Sequence, residues 1–473
     1  MLHYESAVQL RQMLRSHVIS ARELMQATYA RIHRHNKALN ALVNVLPEGD
    51  ALALADAVDA RIARGEDAPL LGLPMAPKDA EGVAGFPTTF GFAPYRNRIA
   101  PADNLMVRRL REAGAIFIGK SNMPEFGLGS HTFNKLFGHT FNPWNPQKTP
   151  GGSSGGAAVA LATGMLPIAD GSDMGGSLRN PASFCNVVGL RPSMGRVPDD
   201  ARAYGWFSRL DTLGPMGRTV DDVALLLSVQ AGPDIADPRG LSEPGNTFAN
   251  VVERGFKGAR VAFSADLGLP IDPAVRQVME TVPDTLRALG CQVEDVTKDV
   301  ADILAGAMDV FATQRGAHLA SLGRALEASL PDWRNHAKDT AIWNIELGLS
   351  LSADAVLRSE IERTRIYRSL VRYLQDYEAL FIPAAQVPPF DATLDWVHVI
   401  DGQPMPTYLD WMRVCCMLSI TDLPAISVPA GFTSDLLPVG VQIIGRPGGD
   451  RSLLSLAKAF ETSQPLHRNH PPD

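Results

Sequence analysis

The feature of the sequence that most constrains its fold is a change of texture that begins near residue 70 and lasts until about residue 235. Within it, short apolar runs of the length of buried β-strands alternate with stretches of helical periodicity, and dense Gly, Pro, Ser and Asn separate them. One helical stretch is 103–113, and the apolar runs lie at 116–118, 166–169 and 187–190. This alternation predicts an α/β fold.

The segments on either side predict further helices and strands. Residues 1–65 have helical periodicity, and Ser20 followed by Glu23 forms a capping-box pattern. Residues 301–378 are mostly helical and amphipathic. We predict further strands at 260–263, 292–296, 379–382, 425–429 and 439–443, and further helices at 274–288 and 452–461.

The chain has no internal repeat and no low-complexity linker, so its sheet is expected to be assembled from distant segments of a single domain, 1–473. Within this domain we assign 1–65 to N-terminal helices and 70–235 to a catalytic core. Residues 255–473 are assigned to the remaining sheet, helices and pocket-forming region.

The charge balance argues against nucleic acid as a partner, because a net charge of −7 leaves no basic excess to neutralise phosphates. No apolar run reaches the roughly 18 residues of a membrane span, and the N-terminal stretch lacks the apolar core of a secretory signal. A cytoplasmic location is therefore expected. The cysteines lack zinc-site spacing and are expected to be ordinary core thiols: Cys185, Cys291, Cys415 and Cys416.

Three clusters of residues could carry chemistry. Lys78 ends a short apolar run, Ser153 and Ser154 lie within the glycine-rich segment 150–156, and Ser177 lies within 170–179. Each cluster alone has an ordinary explanation, since a lysine beside an aspartate is usually exposed and glycine-rich segments are usually turns. Together they supply a lysine, serines and two runs of exposed backbone N–H groups.

The glycine-rich segment does not fit the better-known motifs. It matches G-x-S-x-G around Ser154, but that nucleophile elbow requires a preceding buried strand, and the prolines of 142–146 exclude one. No Gly-Lys-Ser/Thr follows, which excludes a phosphate-binding P-loop. His131 and His139 have no metal-site spacing and are interpreted as loop or pocket-rim residues. A serine nucleophile would then need another base, and a buried lysine can serve, since burial lowers its pKa.

The sequence resembles the amidase signature family over most of its length. Residues 151–160 read GGSSGGAAVA and residues 170–190 read DGSDMGGSLRNPASFCNVVGL, both close to the core signature of that family. Ser153 follows Lys78 by 75 residues, and Ser177 follows Ser153 by 24. The flanking matches include GKSNMPEFG, FGHTFNPWN, LDTLGPMGRTVDD, DLPAISVPAG and LPVGVQIIG.

The resemblance implies a central mixed β-sheet covered by helices on both faces, and a Ser–Ser–Lys triad without metal or cofactor. Ser177 would be the nucleophile, Ser153 a bridging serine whose peptide bond is typically cis in this family, and Lys78 the base. The resemblance also implies supporting residues. The oxyanion hole would be formed by the backbone amides of Met174, Gly175, Gly176 and Ser177. The relay would be oriented by Ser154, Asp173 and Arg179, and the acyl side of the pocket would be lined by Gly127 and Leu128.

Four functions are compatible with these residues. The leading hypothesis is an amidase that acts on a small apolar or aryl amide through an acyl-enzyme. The same triad would also serve a hydrolase of carbamates (a urethanase) or urea-type bonds. The third hypothesis is the glutaminase subunit of a tRNA-dependent amidotransferase, and the fourth is a catalytically inactive binding protein. The expected partner is a small-molecule substrate, and the protein is expected to be a monomer or a homodimer.

Specificity is expected to come from outside the signature, in part from 300–350 and 390–415. The second stretch is rich in aromatic residues, which either line the pocket or belong to the core or a lid: Phe390, Trp396, His398, Tyr408 and Trp411. Asp422, where the family often has glycine, and Leu437 depart from the commonest family pattern and bear on substrate identity rather than on the triad.

Overall fold

A central sheet of eight strands organises the computed structural model, which describes residues 2–201, 205–207 and 210–473. The strands of this sheet are β1 (Ile168–Asp173), β2 (Val188–Arg191), β3 (Thr212–Gly217), β4 (Arg260–Phe263), β5 (Gln292–Asp295), β6 (Leu380–Pro383), β7 (Ala425–Phe432) and β8 (Pro438–Ile444). They lie in the order β5-β4-β6-β8-β7-β2-β3-β1. Strand β4 pairs parallel with β5 and β6, and the remaining neighbours pair antiparallel, so the sheet is mixed.

Helices flank this sheet along the chain. They are α1 (Ala7–Arg15), α2 (Ala21–Leu39), α3 (Glu48–Ala63), α4 (Leu105–Glu112), α5 (Gly155–Ala162), α6 (Arg179–Cys185), α7 (Val220–Gln230), α8 (Pro273–Met279), α9 (Val282–Ala288), α10 (Thr297–Ile303), α11 (Ala307–Ser329), α12 (Asp339–Ser350), α13 (Ala353–Leu374), α14 (Arg413–Ser419) and α15 (Asp450–Ser463). Short paired segments lie outside the main sheet: Leu42–Val43 with Lys120–Ser121, Pro74–Met75 with Ile116–Phe117, Phe133–Asn134 with Gly138–His139, and Val399–Ile400 with Gln403–Pro404.

Both faces of the sheet are buried, as the alternation of side chains in β6 shows. Phe381 belongs to the apolar core that includes α1, α2, α5, α7 and α15, whereas Leu380 and Ile382 belong to the core that includes α10, α11, α13 and α14. Successive residues of a strand point to opposite faces, so two separate cores require helices on both sides. The expected mixed sheet with helices on both faces is confirmed.

Local sequence signals account for several element boundaries. Ser20 caps α2 by accepting from the Glu23 amide, while the Glu23 side chain accepts from the Ser20 amide, as the capping-box pattern predicts. The predicted helix 274–288 is wrong as a single element, since α8 ends at Met279 and α9 begins at Val282. Pro283 explains the break, because proline lacks an N–H and is tolerated only in the first turn of a helix.

The cysteines are buried and unpaired, as expected of core thiols: Cys185, Cys291, Cys415 and Cys416. In the part of the chain that is described, no helix combines the length and the apolarity needed to cross a membrane.

Candidate active site

Lys78 is held at the edge of the sheet by backbone contacts. It follows the two-residue strand Pro74–Met75, and it forms a parallel β-bridge with Ser121. Its backbone N–H donates to Asp170 Oδ2 at 3.1 Å, which ties it to strand β1. The side chain is fully buried, so the ordinary expectation of an exposed Lys–Asp pair is wrong for this residue.

The Lys78 amine is surrounded by hydroxyl groups. Its Nζ lies 2.7 Å from Ser153 Oγ, 3.0 Å from Ser154 Oγ and 2.9 Å from Ser172 Oγ. Burial lowers the pKa of this lysine to about 8, although nearby carboxylates, Glu81 foremost, act in the opposite direction. At pH 7 roughly a tenth of the amine is therefore neutral, and at about pH 8 roughly half of it.

The two glycine-rich segments meet behind this amine. The Gly152–Ser153 peptide bond is cis, and Ser153 lies two residues before helix α5, whose small residues are all buried. The Ser154 N–H donates to the Ser177 carbonyl at 3.2 Å, which joins the two segments directly.

The loop between β1 and α6 is organised by the buried carboxylate of Asp173. This carboxylate accepts from the amides of Gly176 at 2.9 Å and Leu178 at 3.0 Å, and from Arg179 Nη2 at 2.9 Å and Nε at 3.0 Å. Burial alone would raise the pKa of Asp173, but the charge and hydrogen bonds of Arg179 and the charge of Arg191 hold it well below its usual range. Arg179 reaches further, to Gln442 Oε1 at 2.9 Å and Ser419 Oγ at 2.8 Å, and so fastens the loop to β8 and α14.

Glycine is required at two positions of this loop. Gly176 has a φ of +110°, and a Cβ there would lie 2.7 Å from Cys415 Cβ. A Cβ on Gly175 would lie 2.8 Å from Phe311 Cζ. Both distances are shorter than real contacts allow, so α11 and α14 press directly on the loop backbone.

Ser177 faces the same pocket as Ser153 and is 8% exposed. Its hydroxyl makes no hydrogen bond to any described residue, and in particular none to Ser153 Oγ. Among the described residues, the amides of Met174, Gly175 and Ser177 also lack an acceptor, whereas the Gly176 amide already donates to Asp173. The loop therefore offers three unoccupied donors near the hydroxyl.

A pocket of about 380 Å³ opens in front of these residues. It is lined by the predicted residues Gly127, Leu128, Ser153, Met174 and Ser177. It is also lined by residues that the sequence did not single out: Ala80, Glu81, Phe90, Asn104, Met123, Phe126, Ser172, Asp199, Ala201, Asp211, Leu213, Arg315, His318, Leu319, Ser321, Leu322 and Ala325. The expectation that 300–350 contributes to the pocket is confirmed by α11.

The second expected stretch, 390–415, does not line this pocket. Tyr408 and Trp411 are buried within the core beside α11 and α13, and Phe390 and Trp396 pack against it. Of the two alternatives, these four therefore belong to the core, whereas His398 is exposed.

His131 lies in a loop, as one of the two expected alternatives has it, but it is buried and does not line the pocket. The ring is buried, its Nε2 lies 3.0 Å from the Ala392 carbonyl, and its Nδ1 lies 2.9 Å from Thr149 Oγ1. Burial lowers its pKa to about 3, so it is a neutral structural residue. His139 is half-buried and packs against Phe133. Within the described residues, no cluster of His, Cys, Asp or Glu could hold a metal ion.

Ser172 is the hydroxyl near Lys78 that sequence reasoning missed. It lies on β1 two residues after Asp170, and side chains two apart in a strand share a face. Asp170 accepts from the Lys78 backbone and Ser172 accepts from the Lys78 side chain. The spacing of Asp170 and Ser172 in the sequence D-G-S was therefore the signal from which the position of Ser172 could have been predicted.

Comparisons with known proteins agree with this geometry. The Amidase family model matches residues 23–454. An acylamidase from Rhodococcus erythropolis is 34% identical over 480 residues, with 100% of this chain and 98% of that protein covered. The chain belongs to the amidase signature family. It is a hydrolase that acts on carbon–nitrogen amide bonds.

Other members of the amidase signature family are similar over the same length. A glutamyl-tRNA(Gln) amidotransferase subunit from Geobacter metallireducens is 34% identical, with 97% of each chain covered. The crystal structure of a bacterial aryl acylamidase superimposes with a TM-score of 0.91 at 26% identity, with 100% of both chains covered. The fold is thus shared with solved amidase signature enzymes.

Proposed function

We propose that this amidase hydrolyses a small apolar or aryl amide through an acyl-enzyme, with Ser177 as nucleophile, Ser153 as bridging hydroxyl and Lys78 as base. The observation that carries the proposal is the contact of 2.7 Å between the buried Lys78 amine and Ser153 Oγ, in a pocket that Ser177 also lines. A buried lysine beside hydroxyl groups is one recognised way to activate a serine nucleophile.

The three hydroxyls around Lys78 suit a neutral amine. A neutral amine has two N–H donors and one lone pair, whereas an ammonium has three donors. Ser154 and Ser172 can accept the two N–H groups, which leaves the lone pair directed at the Ser153 hydroxyl. In this arrangement Ser153 donates its proton to Lys78 and can accept one from Ser177.

The reaction then proceeds by two proton transfers and an attack. Ser177 Oγ attacks the carbonyl carbon as its proton passes to Ser153, whose own proton passes to Lys78. The oxyanion accepts from the free amides of the proposed hole, those of Met174, Gly175 and Ser177, whereas the Gly176 amide stays bonded to Asp173. One such donor contributes about 3 kcal/mol to the transition state. The proton returns through Ser153 to the leaving nitrogen, the amine departs, and water hydrolyses the acyl-enzyme.

The missing hydrogen bond between Ser153 and Ser177 fits a site without substrate. A serine Oγ changes its position by rotation about Cα–Cβ, and catalytic hydrogen bonds often shorten only in the substrate complex. Lys78 Nζ holds Ser153, while Ser177 remains free to turn toward a carbonyl.

The apolar wall of the pocket supports an aryl or alkyl amide as substrate. Phe90, Phe126, Leu213, Leu319 and Leu322 line it, and such a surface favours an apolar group by burial. The names of two similar proteins, an acylamidase and an aryl acylamidase, support the same substrate class.

A hydrolysis panel with the purified protein tests this proposal. We expect amine release from an aryl amide, with and without a chelator, and none from Ser177→Ala. Ser455→Ala, a buried serine on α15 far from the pocket, is the matched control and should keep full activity. Activity retained in Ser177→Ala would contradict the proposal, and an aryl carbamate in the same panel measures the urethanase alternative.

A second candidate is the glutaminase component of an amidotransferase, which the similarity to the amidotransferase protein of Geobacter metallireducens favours. It predicts ammonia release from glutamine rather than amine release from aryl amides, and a requirement for partner subunits. Turnover of aryl amides by the protein alone would exclude it as the main activity.

A further inference from the structure

Arg315 is a buried cation in the wall of the candidate active site. It lies on α11, is 4% exposed, and lines the same pocket as Ser153 and Ser177. It contacts Met174, which precedes Ser177 by three residues in the proposed oxyanion loop. A charge in this position bears directly on which substrates can enter.

The partners of Arg315 are all neutral. Its Nε lies 3.2 Å from Asn344 Oδ1, its Nη2 lies 2.9 Å from the Tyr408 hydroxyl, and its Nη1 lies 3.0 Å from Met174 Sδ. No carboxylate among the described residues lies within ion-pair distance of it, although the rings of Phe311 and Tyr408 flank the guanidinium. Two of its five N–H groups therefore lack an acceptor within the described chain.

An arrangement of this kind is costly for folding alone. A buried charge without a partner of opposite charge destabilises a protein, and thioether sulfur is a weak acceptor. Other buried arginines have carboxylate partners, such as Arg179 with Asp173 and Arg196 with Asp450, or, like Arg218, donate to backbone carbonyls. Arg315 differs from them in facing the pocket, where a ligand can supply the missing charge.

The pocket lining carries titratable groups of both signs. Glu81, Asp199 and Asp211 line it, and His318, one turn along α11 from Arg315, lies 3.7 Å from Asp211. Lys338 does not line the pocket; burial lowers its pKa to about 8, and the charge of Arg315 disfavours its charge further. Arg315 is the one arginine or lysine among the described lining residues, so it is the permanent positive charge that attracts an anionic group of a substrate.

We propose that this amidase prefers substrates that carry a carboxylate, and that Arg315 binds it. The carboxylate would accept from Nη1 and Nη2 in the bidentate geometry that guanidinium favours, and would replace the weak contact with Met174 Sδ. This inference rests on the proposed function and specifies its substrate: an amide with an apolar body and an acidic group remote from the scissile bond.

Two matched pairs of substrates test the inference. Succinic monoanilide and butyranilide place the carboxylate on the acyl side, and N-butyryl-4-aminobenzoate and N-butyryl-4-toluidine place it on the amine side. We expect a kcat/KM at least about tenfold higher for the carboxylate in one pair, mainly through KM. Arg315→Gln should reduce this ratio to near one, Arg315→Lys should retain part of it, and Arg324→Gln, exposed on the same helix, should retain all of it.

Three outcomes overturn the inference. The wild-type protein could show no carboxylate preference in either pair, or Arg315→Gln could lower both members of the preferred pair by the same factor, as a purely structural residue would. A binding measurement on Ser177→Ala keeps the test independent of turnover. Calorimetry should show that succinate or 4-aminobenzoate binds to Ser177→Ala and that this binding is lost in Ser177→Ala/Arg315→Gln. The third contradicting result is that neither acid binds to Ser177→Ala. If carboxylates bind but no amide is cleaved, the proposed function fails while the anion site stands.

Discussion

At the scale of single residues, Lys78 differs from the second buried lysine beside it. Lys120 Nζ donates to the Glu81 carbonyl, so its side chain is bound to the backbone. Lys78 Nζ is held only by hydroxyl groups, which can donate as well as accept. Burial lowers the pKa of both, but only Lys78 has its amine directed at a candidate catalytic hydroxyl.

The pKa of Lys78 predicts the pH dependence of hydrolysis. The base must be neutral, so kcat/KM should rise with pH and level off above an apparent pKa of about 8. The measurement is a pH series on a neutral anilide, whose own charge does not change. Lys458→Met, a partly exposed lysine paired with Asp221, should leave the profile unchanged. A rate that is flat between about pH 6 and 9 would argue against Lys78 as base.

The carboxylate of Asp173 predicts a large effect on stability. Asp173→Asn leaves Arg179 buried without an opposite charge, and we expect the free energy of unfolding to fall by about 3–5 kcal/mol. The control is Asp284→Asn, because the ion pair between Asp284 and Arg287 is exposed. This substitution should change the free energy of unfolding by less than about 1 kcal/mol. Denaturant unfolding monitored by circular dichroism compares the two, and equal effects would contradict this account of the loop.

Only where a motif covered them did the sequence single out residues that the fold brings together. The glycine-rich motifs and the family resemblance named Lys78, Ser153 and Ser177, and these residues do converge on one pocket. The burial of His131 depends on Thr149 and on the carbonyl of Ala392, and the latter is too distant along the chain for any local pattern to indicate it. Arg315 lies in an ordinary amphipathic helix, and nothing in its neighbours distinguishes it from an exposed arginine.

At the scale of elements, the loop from β1 to α6 is shaped by the helices that press on it. Phe311 of α11 and Cys415 of α14 approach its glycines so closely that no side chain fits. Because Asp173 fixes the amides on one side and these helices fix the other, the loop is held without regular secondary structure. The proposed oxyanion hole is therefore a product of tertiary packing.

Gly176→Ala tests this view of the loop. The positive φ and the close approach of Cys415 predict that the free energy of unfolding falls by about 2–4 kcal/mol. Because the loop must shift, we expect kcat/KM to fall by a factor that corresponds to a still larger free energy. Gly138→Ala is the matched control, since Gly138 also has a positive φ, +85°, but open space around it. Gly138→Ala should lower the free energy of unfolding by about 1–2 kcal/mol and leave kcat/KM unchanged. Thermal unfolding and initial rates measure both, and full activity in Gly176→Ala would contradict the prediction.

Elements were easier to predict than their faces. Strand β4 matches the prediction at both ends, because an apolar run bounded by turn residues defines it, and helix α11 lies within the predicted helical region. The side of α11 that faces the pocket was not predictable, since its apolar residues serve the core as well as the pocket. The region 390–415 failed for the same reason, because aromatic composition suits a pocket and a core equally.

At the scale of the whole molecule, the sheet joins segments that are far apart in sequence. Strands β7 and β8, near the end of the chain, lie at its centre between β6 and β2. The N-terminal half supplies β1, β2 and β3, whose only neighbour beyond themselves among the described strands is β7. Neither half can complete the sheet alone.

We therefore expect residues 1–254 and 255–473 not to fold when produced separately. Each would expose a long unpaired strand edge and half of a shared core, which favours aggregation over folding. Circular dichroism and unfolding curves of the two fragments, against the intact chain, provide the measurement. A cooperative transition in either fragment would show that the chain contains more than the single domain predicted from its sequence.

The α/β class was predictable because strand and helix periodicities alternate along the chain. The order of the strands was not, because each antiparallel pairing depends on which distant segment meets which edge. The family resemblance supplied the mixed sheet that periodicity alone could not give.

The central claim, that Ser177 forms the acyl-enzyme, is tested most directly by locating a covalent adduct. The candidate serines share one tryptic peptide, 149–179, so the adduct formed with an aryl fluorophosphonate must be placed by fragmentation within it. We predict one adduct per chain, on Ser177, that forms faster as pH rises toward about 8 and is absent in Ser177→Ala. An adduct on Ser153, Ser154 or Ser172 of the wild-type protein, or none at all, would contradict the account.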